Sequence, residues 1–273
     1  MSWLSNYLYE PNLLVPGRRP VGGLKININH PYAHNLIAAF DGMSARNAVT
    51  KRTGAVEGQA KVRTPRGFEF DSDNSADYIE FDADLRSETA FGQDEFFIFA
   101  LAIWPGGGIY PVFVANGDTG PGEWMLRLVD QRINFFGNGG SILLSSSASV
   151  TQGQPFTVAM ARVLEGELYR GHLFLDGVAD GVDTSAGGNL TAVSATAGIG
   201  QADLNANSWL NGSIALVYIW RGSLPVADYI LAKKLNADPY QLWEPVPDAP
   251  FLPSEAIPPA TGEDNAILMA SNF

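Results

Sequence analysis

Two stretches of this chain are apolar on both faces of an extended backbone, and they restrict the fold more than any other feature. In residues 95–104, Phe97, Phe99, Leu101 and Ile103 alternate with Phe96, Ile98 and Ala100. In the second, Ile214, Leu216, Tyr218 and Trp220 alternate with Ala215, Val217 and Ile219. Successive side chains of a strand point to opposite faces, so both strands need cover on two sides and belong at the centre of a sheet. After the second, Arg221-Gly222-Ser223 breaks the pattern; Ser223 can cap orphan amides and Pro225 suits a first helical turn. Val226, Ala227, Ile230, Leu231 and Leu235 then recur at helical spacing, and Lys233 and Lys234 suit the C-terminal end of the helix dipole. Asp238-Pro239 stops the run. The spacing predicts a buried strand with one short helix docked behind it.

The remaining chain reads as further strands. Leu36 to Phe40 is one, and Phe68 and Phe70 with Tyr78, Ile79 and Phe81 on the far side of a polar turn at 71–76 read as a hairpin. Tyr110 to Ala115, Trp124 to Val129, Arg132 to Phe136, Ile142 to Leu144, Phe156 to Val163, Leu168 to Leu175 and Ala197 to Gly200 continue the series. Turn signals separate them: Gly106-Gly107-Gly108, Asn116-Gly117-Asp118, Pro121-Gly122, Gly137 to Gly140, and Asp176-Gly177, a strong two-residue hairpin signal. About a dozen strands and one helix describe an all-β, two-sheet antiparallel sandwich.

The ends differ in composition. Residues 1–35, with Pro11, Pro16, Pro20 and Pro31, read as an extended N-terminal arm whose Leu13-Leu14-Val15 and Leu24 to Ile28 require cover. Residues 36–243 form the sandwich domain. Residues 244–273 read as a Pro-rich tail whose end, 266–273, is apolar enough to add a strand to a neighbour. Arms of this kind are expected on another subunit.

Composition bounds the partners. With 273 residues, 46% of them hydrophobic and 17% charged, the chain can bury the core of one such domain. A formal charge of -12 opposes binding to nucleic acid and to anionic membrane surfaces, so neutral or basic partners are expected. The absence of cysteine excludes disulfides and thiolate metal sites. Residues 1–9 lack the basic and apolar regions of a signal peptide, and no stretch reaches the ~18 apolar residues of a membrane span. The protein is therefore expected to be soluble when made in the cytoplasm.

The order of the pieces resembles the laminin-G-like, concanavalin A-like jelly rolls over about residues 36 to 236. Phe70-Asp71 with Asp77-Tyr78-Ile79, Phe156 to Arg162 with Leu173-Phe174-Leu175-Asp176-Gly177, Ile199-Gly200, and Asn211-Gly212-Ser213-Ile214 running on to Leu235 carry the resemblance. Two positions depart from it: Pro155-Phe156 stands where a Trp-His is frequent, and Ala215-Leu216 where an acidic pair is, which removes any acidic or metal role there. The flanks, Ile26 to Phe40 and Asn236 to Trp243, are similar to flanks of this domain in tailed-bacteriophage proteins. The resemblance implies a virion-associated protein, in head or tail, with other virion subunits as partners or as a homo-oligomer.

Candidate sites are few. Asp71, Asp73, Asn74 and Asp77 crowd one loop with oxygen ligands suited to Ca2+, but that loop lacks the glycine of a sharp Ca2+ turn, and Asp and Asn also favour turns by bonding their own backbone. A turn is the preferred reading there, and for Asp176 and Asp180. Glu165 and Glu167 flank Gly166 in an expected turn rather than facing each other across a cleft as a glycosidase requires. His30, His34 and His172 lack metal-ligand spacing, and Gly106 to Gly108 does not open a helix as a phosphate loop does. Trp104, Tyr110 and Trp124 are candidates for stacking on a sugar, but each abuts a strand and packing in the core is the preferred reading. The residues thus assign no catalytic, cofactor or metal site. They point to a non-enzymatic structural or decoration protein, with a glycan-binding adhesion module of a tail or head fibre, directed at a host-surface glycan, as the alternative.

Overall fold

The two doubly apolar stretches become neighbours in the middle of one sheet. The computed structural model describes residues 24–64, 67–70, 77–107, 110–117, 120–137, 141–183, 189–194, 196–201 and 210–245. In chain order, β1 (Leu24–Ile26) and β2 (Leu36–Phe40) flank a 3-10 turn at Pro31–Ala33. Then come β3 (Val56–Glu57), β4 (Lys61–Thr64), β5 (Gly67–Phe70), β6 (Tyr78–Glu80) and helix α1 (Ala83–Glu88). β7 (Phe96–Ile103), β8 (Val112–Asn116), β9 (Trp124–Val129), β10 (Arg132–Gly137) and β11 (Ser141–Ser149) lead into the long hairpin of β12 (Pro155–Glu165) and β13 (Leu168–Leu175). β14 (Val178–Asp183), β15 (Gly198–Ile199), β16 (Gly212–Arg221), helix α2 (Asp228–Ala237) and β17 (Trp243–Pro245) follow.

These strands form the expected antiparallel jelly-roll sandwich. One sheet has eight strands in the order β14-β13-β12-β7-β16-β5-β4, with β2 pairing the second half of β16. The other has seven, in the order β11-β10-β9-β8-β15-β6-β3. Phe96, Ile98 and Ala100 of β7 and Val217 and Ile219 of β16 meet Leu126, Leu128 and Phe135 of the opposite sheet in the inter-sheet core. The other faces of β7 and β16 carry Phe97, Phe99, Leu216, Tyr218 and Trp220, and a second apolar layer covers them. Leu231, Ala232 and Leu235 of α2 supply part of that layer. The rest is a clasp in which β1 pairs with β17, Leu24 beside Pro245 and Ile26 beside Trp243. The aromatic polar groups find partners inside it: Tyr218 donates to the Pro239 carbonyl at 2.7 Å, Trp243 to the Tyr218 hydroxyl at 2.7 Å, and Trp220 to the Tyr32 carbonyl at 2.9 Å.

The structure departs from the sequence reading at five places. Ile214, expected beside Leu216, turns into the inter-sheet core, because the register of β16 against β7 shifts between Ile214 and Leu216 and a bulge reverses the faces beyond it. Gly67 sits against that bulge with φ 93°, where a Cβ would stand 2.5 Å from the Ile214 carbonyl oxygen. β5 and β6, expected as one hairpin, lie in different sheets; Phe68, Phe70 and Ile79 share the inter-sheet core from opposite sides, and alternation reports a side chain's face rather than its strand's partner. The described residues hold two α-helices rather than one, the first being the short α1, capped by Asp82, which accepts from the Asp84 and Leu85 amides. α2 begins at Asp228 without a side-chain cap, so Ser223 does not fill that role. Finally, residues 24–35, expected in the arm, hold β1 and the 3-10 turn and pack on the sandwich.

Leu216 is fully buried beneath the outer layer. Leu216→Ala should therefore destabilise the fold by roughly 2–5 kcal/mol through lost transfer energy and a residual cavity. Chemical denaturation should show that loss, and an unchanged midpoint would place β16 at the surface.

Candidate functional site

α2 packs on β12 and β14 of the eight-stranded sheet, and beside its first turn the outer face of β12 to β14 is left open. A groove of about 500 Å³ lies there, floored by Val163, Phe174 and Ala179 and bounded by Glu95, Glu165, His172, Asp228 and Tyr229. Its volume falls within the roughly 300–1,000 Å³ of ligand pockets. The polar residues arrive from separate elements: Glu95 just before β7, Glu165 at the end of β12, His172 from β13 and Asp228 from the first turn of α2.

His172 organises the site. Its Nδ1 lies 2.5 Å from the Asp228 carboxylate, and its Nε2 lies 3.4 Å from Glu165. Arg170, two residues along the same strand face, holds the other Glu165 oxygen at 3.0 Å. Glu95 accepts from the Leu164 amide at 2.8 Å, which fixes its carboxylate at the groove edge. Asp228 is buried, and the helix dipole favours a carboxylate in a first turn. The hydrogen bond to Asp228 raises the His172 pKa above that of an ordinary histidine; burial opposes this, the charges of Asp228 and Glu165 reinforce it, and Arg170 opposes it. Tyr229 stands on the rim with 60% of its surface exposed.

Chemically, the groove is an acceptor site with an apolar floor. Its carboxylates can take hydrogen bonds from hydroxyls or pair with a cationic group, and the Tyr229 ring is exposed for a face contact. The Asp228–His172 pair has the first two members of a nucleophilic triad, but Nε2 faces the Glu165 carboxylate, which has no hydroxyl proton to surrender. Among the described residues, no cluster of acidic or imidazole groups is arranged to hold a metal ion.

The residues singled out from the sequence are scattered. Trp104 and Trp124 are core residues: Trp104 donates to the Gly107 carbonyl, and Trp124 donates to Thr89 at 2.8 Å and stacks on Phe91. Trp124 is fully buried and Trp104 keeps 9% of its surface exposed, so both rings serve the core. Tyr110 is half-buried under the Arg127 guanidinium, 4.5 Å from its ring centre. Asp71, Asp73 and Asn74 lie outside the described residues, while Asp77 is buried and accepts from the Gln59 amide. Asp176 bonds the Thr157 amide and Asp180 the Ala148 amide, so both serve local structure. His30 caps the 3-10 turn, accepting from the Tyr32 amide, and His34 is exposed. Gly106 and Gly107 form a turn with positive φ; Gly108 lies outside the described residues. Glu167 is exposed in the β12–β13 turn, whereas Glu165 belongs to the groove. Sequence reasoning missed Glu95 and Asp228. The available signal was Asp228 opening a helix between apolar residues, on a chain where His172 shares a strand face with Phe174.

No protein-family model matches the sequence, and no curated protein matches it. Solved structures do resemble the fold. A mutant of Trypanosoma rangeli sialidase displaying trans-sialidase activity matches with a TM-score of 0.53 at 14% identity, over 78% of this chain and 35% of that one. The binding domain of Paraclostridial Mosquitocidal Protein 1 matches with a TM-score of 0.51 at 12% identity, over 76% of this chain and 53% of that one. Domain 4 of AbnA, an extracellular arabinanase from Geobacillus stearothermophilus in complex with arabinotriose, matches with a TM-score of 0.50 at 12% identity, over 73% of this chain and 98% of that one. This chain thus corresponds to about a third of the sialidase and half of the mosquitocidal-protein structure. At these identities the likeness establishes the β-sandwich fold.

Because the folded-state pKa of His172 is raised, its contribution to stability is fully present below about pH 6.5 and is lost as pH rises through the folded-state value. The melting-temperature difference between the native chain and His172→Gln should be largest near pH 5.5 and shrink toward pH 8.5. A difference independent of pH would mean that the pair with Asp228 does not form.

Proposed function

We propose that this chain is a non-enzymatic structural or decoration protein of a bacteriophage particle, a binding module fixed to neighbouring subunits by its two arms. The observation that carries the reading is the clasp: Leu24 pairs with Pro245, so the described residues that adjoin 1–23 and 246–273 lie side by side. Two Pro-rich, partly apolar segments rooted side by side are suited to joining the sandwich to a neighbour by strand addition or groove filling. The flanks that resemble phage proteins, Ile26 to Phe40 and Asn236 to Trp243, are the segments that build this clasp, with the Asn27 amide bonded to the Leu242 carbonyl at 2.8 Å. The site chemistry supports a binding role over a catalytic one, since the hydrogen bonds and ion pairs of Glu95, Glu165 and Asp228 hold all three groove carboxylates in place. Removing residues 1–23 and 246–273 should leave the melting temperature within a few degrees of the full chain and abolish incorporation into particles. Incorporation by the trimmed protein would overturn the reading.

The groove favours a second reading, a glycan-binding adhesion module. Its volume, its carboxylate acceptors and the exposed Tyr229 ring suit a sugar, and one of the similar folds is a domain solved with arabinotriose. On a glycan array this reading expects binding without cleavage that falls at least tenfold in Tyr229→Ala. Released oligosaccharide would contradict both readings.

A further inference from the structure

We propose that the acid-lined groove beside α2 receives the N-terminal arm of a second copy of this chain, through Arg18 and Arg19 and the apolar residues that precede them. The inference rests on the assembly reading above and names the contact that assembly uses. The groove sets out what an occupant must bring. His172 and Arg170 already face Glu165 and Asp228, whereas Glu95, bonded to the Leu164 amide, pairs with no cation among the described residues, so three carboxylates meet two cationic side chains and Glu95 is the one open to added positive charge. Its floor of Val163, Phe174 and Ala179 needs apolar cover, and Leu168 and Tyr229 nearby are each 60% exposed. A narrow groove with both demands suits an extended segment in which guanidinium groups follow apolar side chains, because guanidinium pairs with carboxylate through two parallel hydrogen bonds.

Within a chain of net charge -12, one segment has this composition. The sequence Leu13-Leu14-Val15-Pro16-Gly17-Arg18-Arg19-Pro20 contains its only Arg-Arg pair. Pro16 and Pro20 favour the polyproline conformation, which lowers the ordering cost of binding in an extended form.

The occupant comes from another copy for reasons of reach. The arm is rooted at Leu24 in the clasp, which packs on Tyr218 and Trp220 of β16. β13, under the groove, lies three strands from β16 in the order β13-β12-β7-β16, a spacing of about 14 Å across the sheet. α2 packs on β12 and β14, and the 223–227 segment that leads to it from the end of β16 walls the groove together with its first turn; a helix is about 10–12 Å across. The link from Arg19 to Leu24 spans at most roughly 18 Å when fully extended, which is too short to cross the sheet, rise over that wall and descend into the groove beyond it. Arm into groove between copies is a head-to-tail contact, which closes into a ring or propagates.

The test is sedimentation velocity on the full chain at low salt. The native chain is expected to self-associate with rising concentration, and this association should weaken at least tenfold as salt is raised. Arg18→Glu/Arg19→Glu, which changes only residues before the clasp, should be monomeric with an unchanged melting temperature. Glu95→Lys/Glu165→Lys should also be monomeric, and mixing the two charge-reversed chains should restore association, since each then offers an arm that matches the other's groove. Association by the arm variant equal to that of the native chain, or failure of the mixture to associate, overturns the docking. If particles still incorporate that variant but not the arm-deleted chain, the assembly reading stands and only this contact is wrong. A native chain that stays monomeric at every concentration and is not incorporated into particles overturns both.

Discussion

The rest of the structure depends on the ladder between β7 and β16, whose residues are apolar on both faces. Packing one face against the seven-stranded sheet makes the sandwich, but it leaves Phe97, Phe99, Leu216, Tyr218 and Trp220 needing a second cover. α2 and the clasp meet that need together. The helix runs from Asp228 to Ala237, about 15 Å of rise; it packs on β12 and β14 but leaves the outer face open beside its first turn. The groove is thus the part of the outer face that the cover does not reach, and the arms begin where the cover closes on itself.

Buried polar groups position the groove's far wall. Arg162, 1% exposed, donates to the Gly92 and Asp94 carbonyls at 2.9 Å, and its charge lies 5.0 Å from the centre of the Phe96 ring. Burial lowers its pKa to about 10, still well above neutrality, so the guanidinium remains charged and its bonds persist. Arg221 reaches the Asp94 carboxylate at 2.7 Å from β16. Both arginines thereby hold the segment that delivers Glu95 to the groove. At the same end Asn116 does similar work, donating to the Ala192 carbonyl and accepting from the Ser194 amide, each at 3.0 Å. Removing either hub would leave buried carbonyls or amides without partners, which costs more than the bond itself contributes.

The fold was largely legible because its strongest signals are local. Double apolar alternation placed β7 and β16 at the centre, and Asp176-Gly177 marked a hairpin whose two turn residues have φ of 50° and 73°. Asp130-Gln131 makes the same kind of turn, with φ of 51° and 66°, from residues that announce it less plainly. What escaped was non-local. The bulge at Ala215 is written in no alternation, since it depends on how β16 meets β7 and on Gly67 from another strand. The change of sheet between Phe70 and Asp77 leaves the same pattern of faces as a hairpin would. The groove was illegible for a related reason: Glu95, Glu165, His172 and Asp228 are far apart in sequence and meet only when α2 docks. Trp104 and Trp124, for which packing in the core was the preferred reading, are held inward by the burial of a large ring and by carbonyl partners for each indole.

Everything on the outer face meets where β1 and β17 are zipped together, with Lys25 opposite Glu244 and their side chains 3.1 Å apart. A chain without native cysteine permits a direct test. In Lys25→Cys/Glu244→Cys, the paired positions of an antiparallel ladder lie within disulfide reach. Mild oxidation of this variant, followed by mass spectrometry of proteolytic fragments, should yield an intramolecular bridge between the β1 and β17 peptides in nearly every molecule. Two free thiols, or bridges only between molecules, would contradict the clasp and with it the common origin of the arms.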